Sequence, residues 1–371
     1  MSDKTKLHLK KYGYLIFILL GLLPVYAYGL GQYFGHINLF AWLAPFVVFG
    51  VIPVLDWLIG ADPTNPDDAE VTTMAEEKFY VLMTVACVPL VFSMLAFGGW
   101  VFATWPLDWV GRIGWLFTCG IVGGALGITV SHELVHKDSR LEKWSGGLLL
   151  SFVSYGGFKI EHIRGHHVNV STPEDASSSR FNQSLYSFLP HAYLHNFLNA
   201  WALEAKEMKR RGFSVISYHN ELIWWYGLSA LYCALATWLW GAIGFVYFVG
   251  MSFSAFTLLE VVNYLEHYGL HRRKLENGRY ERITHQHSWN SNCLVTNLFL
   301  FHLQRHSDHH AHAKRRYQVL RHFDDSPQLP AGYATMVVLA LIPPLWFKVM
   351  NPRVEAYYQQ DLHQLTALQA T

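Results

Sequence analysis

Long stretches without charged side chains are the feature that most restricts the fold of this sequence. A helix needs about 20 mostly apolar residues to cross the hydrocarbon core of a bilayer. Five stretches approach or exceed that length, with Asp56 as their only charged residue: 12–32, 39–60, 79–101, 113–131 and 222–259. Because a helix satisfies its backbone hydrogen bonds internally, such segments are stable in lipid as helices.

The last stretch is too long for one crossing, because it contains 38 residues between positions 222 and 259. Gly241 and Gly244 interrupt it, so we interpret it as two helices joined by a tight turn. The sequence therefore predicts an all-α integral membrane protein with six transmembrane helices in a single domain, 1–371. Their expected bounds are 12–32, 39–60, 79–101, 113–131, 222–242 and 245–264.

Composition supports this fold class and excludes others. Charged residues make up only 15% of the chain, whereas soluble domains contain about 25%. The 28 basic and 27 acidic residues nearly cancel, so nucleic-acid binding is not expected. The four cysteines are far apart and form no CxxC pair, which argues against a secreted disulfide scaffold.

The basic residues predict the orientation in the membrane. Between Lys11 and Arg112 the only basic residue is Lys78. Loops rich in lysine and arginine stay in the cytoplasm, so we expect an inner (plasma) membrane protein with both termini inside. The polar segments 132–221 and 267–330 should form one cytoplasmic, helical cap. Segment 331–371 should lie buried or at the interface.

Histidine is unusually frequent, with 21 residues in the chain and 17 of them between His132 and His312. Four clusters stand out, with the sequences HELVH from 132, EHIRGHH from 161, NYLEH from 263 and HSDHH from 306. The fourth and sixth predicted helices both run inward and end near His132 and His267. All four clusters should therefore meet on the cytoplasmic side.

The spacing within the clusters favours metal binding. Residues four apart share a helix face, so His132 with His136, and His162 with His166, can each bind one ion. Nine imidazoles are too many for one ion and suit two metals: His132, His136, His162, His166, His167, His267, His306, His309 and His310. Imidazole binds zinc, copper, iron and nickel. HELVH matches a zinc-protease motif, but the surplus of histidines favours a redox pair, with iron as the leading choice.

Acidic residues beside these histidines are candidates to orient them. Ligand histidines usually donate their second N–H to a carboxylate or carbonyl. The candidates are Glu133, Glu161, Glu260, Glu266 and Asp308. The histidines that lack the ligand spacing, among them His287 and His302, are expected to be surface or supporting groups. The basic runs 206–211, 272–274 and 314–316 are expected to be solvated faces or headgroup contacts, with docking of an acidic electron carrier as the minority interpretation.

The longer strings HELVHK, EHIRGHH, NYLEHYGL, HSWNSN and LQRHSDHHAH resemble membrane alkane 1-monooxygenases, a family of the integral-membrane di-iron desaturases and hydroxylases. The resemblance runs from the first predicted helix to about Pro330. It implies six helices and two irons held by the nine histidines. It also implies hydroxylation of the terminal methyl of alkanes with O2 as co-substrate.

The same resemblance implies partners. Alkane would enter from the lipid bilayer, and electrons would come from rubredoxin, itself reduced by an NADH-dependent rubredoxin reductase. Without two CxxC pairs the chain contains no fused rubredoxin, so we expect a separate donor. Two alternatives remain open at this point. One is a fatty-acid desaturase or acyl hydroxylase of the same superfamily, and the other is a divalent-metal transporter with a histidine-lined path.

Overall fold

The chain folds almost entirely into helices. The computed structural model describes residues 3–358, and within that range three isolated β-bridges are the only pairings of extended chain. The all-helical class predicted from the sequence is confirmed for this range. The α-helices are α1 Asp3–Gly13, α2 Ile16–Gly21, α3 Leu23–Phe34, α4 Ile37–Phe40, α5 Leu43–Phe46, α6 Ile52–Ile59, α7 Asp68–Glu76, α8 Lys78–Thr104, α9 Trp109–Val122, α10 Thr129–Leu134, α11 Arg140–Phe152, α12 Phe158–Glu161, α13 His167–Asn169, α14 Leu185–Arg210, α15 Glu221–Trp240, α16 Ala242–His267, α17 Leu294–Phe299, α18 His306–Ala311, α19 Tyr333–Ala340 and α20 Pro343–Tyr358.

Short segments of other helix types connect some of these elements. The π-helical segments are Val47–Val51, Gly123–Ile128 and His162–His166, and one 3-10 turn covers Tyr317–Val319. The second π-helical segment joins α9 to α10 without a break. The two helices therefore form one continuous rod, Trp109–Leu134.

Among residues 3–358, four rods are long and apolar enough to cross a membrane. They are Lys78–Thr104, Trp109–Leu134, Glu221–Trp240 and Ala242–His267. These contain nearly all of the predicted spans 79–101, 113–131, 222–242 and 245–264. The predicted turn within the long apolar run is also confirmed, because α15 and α16 meet at Gly241, whose φ is +64°.

The first two predicted spans are less regular than expected. Segment 12–32 is bent by 50° between Thr5–Gly21 and Leu23–Phe34, and counts as a fifth span if the pair is continuous. Segment 39–60 contains a 17-residue apolar helix, Leu43–Ile59. Pro24 lies in the first turn of α3. Proline has no backbone N–H and is tolerated in the first turn of a helix, but in the interior of a continuous helix it would break a hydrogen bond.

Close packing between the fourth and sixth predicted spans places the first and third histidine clusters side by side. A Cβ atom at Gly120 would lie 2.4 Å from the Ser254 side chain, and one at Gly124 would lie 3.1 Å from the Ala255 carbonyl oxygen. Only glycine permits the first approach. Both rods end at the same level of the molecule, so the rings of His132 and His267 enter one cluster.

The polar segments contain helices and long stretches without helix, such as 268–293. The longest helix of segment 132–221 is α14, Leu185–Arg210. In segment 331–371, α19 begins at Tyr333, and its Tyr333, Met336 and Val337 are buried. Residues 359–371 of the predicted C-terminal segment lie outside the described residues.

Candidate metal centre

The structure brings all nine predicted histidines together. Eight of them form two groups of four, and within each group the candidate ligand atoms lie within 4.8 Å of one another. The first group is His132, His162, His167 and His309, and the second is His166, His267, His306 and His310. His136 lies beside the first group, with its Nε2 atom 3.0 Å from Nε2 of His162. The arrangement thus offers five rings on one side and four on the other.

Distances between ring nitrogens fit ligands around an ion. In the first group, His167 Nε2 lies 3.0 Å from His162 Nε2 and 3.2 Å from His309 Nε2. In the second, His310 Nε2 lies 2.9 Å from His306 Nε2 and 3.2 Å from His166 Nε2. Two nitrogens that each lie about 2.1 Å from a metal, at right angles, are about 3.0 Å apart.

Unsatisfied ring nitrogens support the same assignment. Nε2 of His132 and both ring nitrogens of His267 are buried and have no hydrogen-bond partner among residues 3–358. Buried polar atoms without partners are costly, so most native ones are satisfied. A bound cation facing these atoms would remove that cost, and the residues present therefore fit a pair of metal ions.

The cluster favours neutral imidazole, which is the form that binds metals. Burial lowers the pKa of His136 to about 3, and neighbouring Lys137 acts in the same direction. Burial also holds the pKa values of several rings well below the usual range: His162, His167, His306, His309 and His310. These rings do not need to lose protons before a cation binds at neutral pH.

The second cluster differs from the prediction made from its spacing. We expected His162 and His166 to face one ion, as residues four apart do on an α-helix. Instead, His162–His166 is π-helical, and His162 joins the first group while His166 joins the second. A π-helix is wider than an α-helix, with i→i+5 hydrogen bonds, and here Nε2 of His162 lies 3.0 Å from Nε2 of His167. One turn of chain thereby supplies ligands to both groups.

Of the five predicted orienting acids, Glu266 alone lies within ion-pair distance of a ring of the cluster. Its Oε2 atom lies 3.2 Å from Nε2 of His306. That nitrogen also lies 2.9 Å from His310 Nε2, so Glu266 approaches the inner side of the ring. The sequence prediction of a bond to the outer nitrogen does not describe this contact.

The other four acids stabilise the segments that carry the histidines. Glu133 pairs with Lys137 at 2.8 Å and accepts a hydrogen bond from the Tyr317 backbone N–H. Asp308 pairs with Arg315 at 2.6 Å. Glu161 accepts from Asn199, and Glu260 accepts from Tyr155, Asn196 and Asn263. Burial, with Asp175 nearby, raises the pKa of Glu161 to about 8.

The sequence analysis missed Asp175, which does orient a ring. Its fully buried Oδ2 atom lies 2.9 Å from Nδ1 of His166, and Ser178 Oγ donates to the same oxygen at 2.6 Å. Burial opposes the charged form of His166, but the Asp175 carboxylate outweighs it and raises the pKa of this ring. The available signal was an acid in the serine-rich loop that follows the second cluster.

A separate buried ionic cluster fixes the start of α18. Asp62 pairs with Lys10 at 2.5 Å and with Arg305 at 3.1 Å, and His302 lies 3.6 Å from the same carboxylate. Arg305 directly precedes His306 in the sequence. His302 and His287 are buried and so are not surface residues, and His287 contacts Glu281 at 3.2 Å instead of the metal cluster.

Apolar cavities lie on the membrane side of the cluster. One, of about 50 Å³, lies between α9, α16 and α19. A second, of about 10 Å³, is lined by His132, His306 and His309. Thr129, Leu300 and Leu303 line both cavities. The side chains that line the larger, apolar cavity thus also lie against rings of both groups.

Comparison with known proteins identifies the family. The sequence model of the family "Fatty acid desaturase" matches residues 107–340. Alkane 1-monooxygenase 2 of Pseudomonas aeruginosa is 59% identical, over 100% of this chain and 98% of that protein. Alkane 1-monooxygenase 2 of Alcanivorax borkumensis is 59% identical, over 98% of this chain and 96% of its own length. Alkane 1-monooxygenase 1 of Pseudomonas aeruginosa is 56% identical, over 100% and 97%. The family resemblance inferred from the histidine clusters is thus confirmed over the whole length of the chain. The protein belongs to the alkane 1-monooxygenases within the fatty acid desaturase family.

Proposed function

We propose that this protein hydroxylates the terminal methyl group of medium- to long-chain alkanes, giving 1-alkanols. The observation that carries the proposal is the pair of buried histidine groups beside an apolar cavity of the helical bundle. The reaction consumes one O2, two electrons and two protons for each alkane, and releases one water with the alcohol. The names of the full-length relatives support the same activity.

Two iron ions are the proposed metals. His136, His132, His162, His167 and His309 would hold one ion, and His166, His267, His306 and His310 would hold the other. Iron, when bound, supplies the activation of O2 that oxidation of an unactivated methyl group requires. The protein's own contribution is a set of neutral, pre-positioned imidazoles in a site from which its packed side chains exclude water.

The proposed topology has six spans in the inner membrane, with the cap and both termini in the cytoplasm. The bent pair α2–α3 would be the first span and Leu43–Ile59, with its flanking residues, the second. The scarcity of basic residues between Lys11 and Arg112 supports this orientation. With six spans and both termini inside, the fourth and sixth spans both end at the cytoplasmic side, and the histidine cluster lies just inside the cytoplasmic leaflet.

Substrate would enter laterally from the lipid and reach the histidine cluster through the apolar cavity. An alkane has no polar group, so binding depends on apolar burial, about 25 cal/mol per Å², and regioselectivity depends on shape. The cavity of about 50 Å³ is much smaller than an engineered apolar cavity of about 150 Å³ that holds one benzene. Side chains such as Leu300 and Leu303 must therefore move when a long alkane enters.

Electrons are proposed to come from a separate rubredoxin that an NADH-dependent reductase keeps reduced. The decisive experiment combines metal analysis of the purified protein with product analysis. We expect two irons per chain, and 1-octanol or 1-dodecanol from the alkane only when O2, NADH, reductase and rubredoxin are all present. Desaturated or hydroxylated products from acyl substrates, without any alkanol, would refute the proposal and favour an acyl-modifying enzyme.

A further inference from the structure

The basic runs 314–316 and 272–274 of the polar cap differ in how far carboxylates neutralise them. In the run 314–316 every cation has an acidic partner. The pairs are Lys314 with Asp138 at 2.9 Å, Arg315 with Asp308 at 2.6 Å and Arg316 with Glu142 at 2.7 Å. This run therefore contributes little net positive field at the surface.

The run 272–274 keeps more of its charge. Arg273 pairs with Glu281 at 3.2 Å. Arg272 and Lys274 have no carboxylate within ion-pair distance among residues 3–358, and they interact with Glu174 and Glu281 only at longer range. Arg272 donates instead to main-chain carbonyl groups, at 3.0 Å to Val168 and 3.3 Å to Val170.

These cations border an open cleft in the polar cap. The cleft has a volume of about 830 Å³ and is lined by Arg180, Arg272 and Lys274, among others. Arg180 and Lys274 are exposed, and Arg180, like Lys274, has no carboxylate partner in the described part of the chain. The free charges point to an occupant with a negative surface.

The floor of this cleft touches the histidine cluster. Asp175 lines the cleft and hydrogen-bonds to Nδ1 of His166 at 2.9 Å. Val168, whose carbonyl group binds Arg272, directly follows His167 in the sequence. The cleft thus lies one carboxylate away from a ring of the second group and one residue away from a ring of the first.

We propose that this cleft is the docking site of an acidic one-electron carrier protein, and that electrons enter through Asp175 and His166. The proposal rests on the proposed function, because that reaction needs two external electrons. Each docking event oxidises one carrier by one electron and reduces the metal centre by one, so two events serve each turnover. Opposite charges at such a rim accelerate encounter and align the partners.

The test is a charge reversal with a matched control. The double variant Arg180→Glu with Lys274→Glu alters the cleft, and Lys206→Glu with Lys209→Glu makes the same charge change in the exposed run 206–211. Both proteins are titrated with reduced rubredoxin at low ionic strength, with dodecane as substrate. We expect the rubredoxin concentration for half-maximal rate to rise about tenfold or more in the cleft variant, with a weaker dependence on salt. In the control it should stay within about twofold of the unaltered protein.

Binding of oxidised rubredoxin to the detergent-solubilised protein gives a readout independent of turnover, and it should weaken in parallel. Iron content, measured on the same samples, should remain unchanged and so exclude misfolding. An unchanged titration, or an equal loss in the control, would overturn the docking site. Failure of the unaltered protein to form any alkanol, even with dithionite as reductant, would instead refute the proposed function.

Discussion

Replacing Asp175 by asparagine should weaken the second histidine group selectively. The change keeps the shape of the side chain but removes its charge. Asp175 Oδ2 lies against both His166 Nδ1 and Ser178 Oγ, while Oδ1 accepts from the Ser177 backbone N–H at 3.1 Å. An amide accepts only at its oxygen, so the substitution takes an acceptor from one side of this residue and takes the negative charge from the ring.

The size of the effect follows from the geometry. The bond is 2.9 Å long and the carboxylate is fully buried, so solvent does not screen it. A hydrogen bond to a charged group contributes about 1.5–3 kcal/mol, and 1.4 kcal/mol corresponds to a factor of ten. Loss of partners that orient ligand histidines costs about 10–100-fold in metal affinity. We therefore expect iron in the second group to be held about 30-fold more weakly, within that range.

Competition with a chelator measures this directly. Asp175→Asn should lose one iron per chain at a chelator concentration that leaves the unaltered protein fully loaded, and retain the other. Glu174→Gln is the matched control, because it removes the same charge from an exposed neighbouring residue. The hydrogen bond that Glu174 accepts from Tyr280 is long, at 3.5 Å. Simultaneous loss of both irons, or no loss at all, would refute the argument that Asp175 acts through His166.

Three further changes test the metal site, the apolar cavity and the fold. His309→Ala should abolish alkane hydroxylation and reduce the iron content, because it removes one ring of the first group. Val337→Phe should lower turnover of dodecane more than that of octane, since a phenyl ring fills the cavity of about 50 Å³, while Val338→Phe on the exposed side of α19 should leave both rates unchanged. Gly241→Ala should lower the thermal stability in detergent, by about 1–3 kcal/mol for a forced positive φ, and Gly227→Ala, which has open space around its Cβ position, should not. Activity retained by His309→Ala, equal effects of the two valine changes, or an unchanged melting temperature for Gly241→Ala would each contradict the corresponding step.

Hydropathy predicted most of the fold because burial in lipid acts on whole segments. The four rods that could span the membrane lie where the uncharged runs place them, and the Gly241 turn was visible as an interruption. The irregular run 39–60 was not foreseen. Average hydropathy measures only transfer into lipid, and a broken helix has the same value as a straight one. Pro45 and Pro53 were the local signals, since proline cannot donate a backbone hydrogen bond.

Composition and spacing found the histidines, but the division into two groups needed coordinates. An α-helical register places His162 with His166, whereas the π-helical turn places His162 with His167. No feature of the sequence HIRGH distinguishes the two registers, because the π-helical turn is fixed by packing around it. The same limit applies to His302, whose partners Tyr14 and Asp62 lie 288 and 240 positions away in the sequence.

The orienting acids show why adjacency in sequence is a poor guide to contact in a helical site. Neighbouring residues on a helix point in directions about 100° apart, and do not face each other. Glu133 follows His132 and yet binds Lys137, and Glu266 precedes His267 and yet contacts His306. A carboxylate that meets the outer nitrogen of a ring must therefore come from another segment, as Asp175 does from a loop. For a helical histidine cluster, the search for orienting acids should begin in the loops that cross it and leave aside the residues next to the ligands.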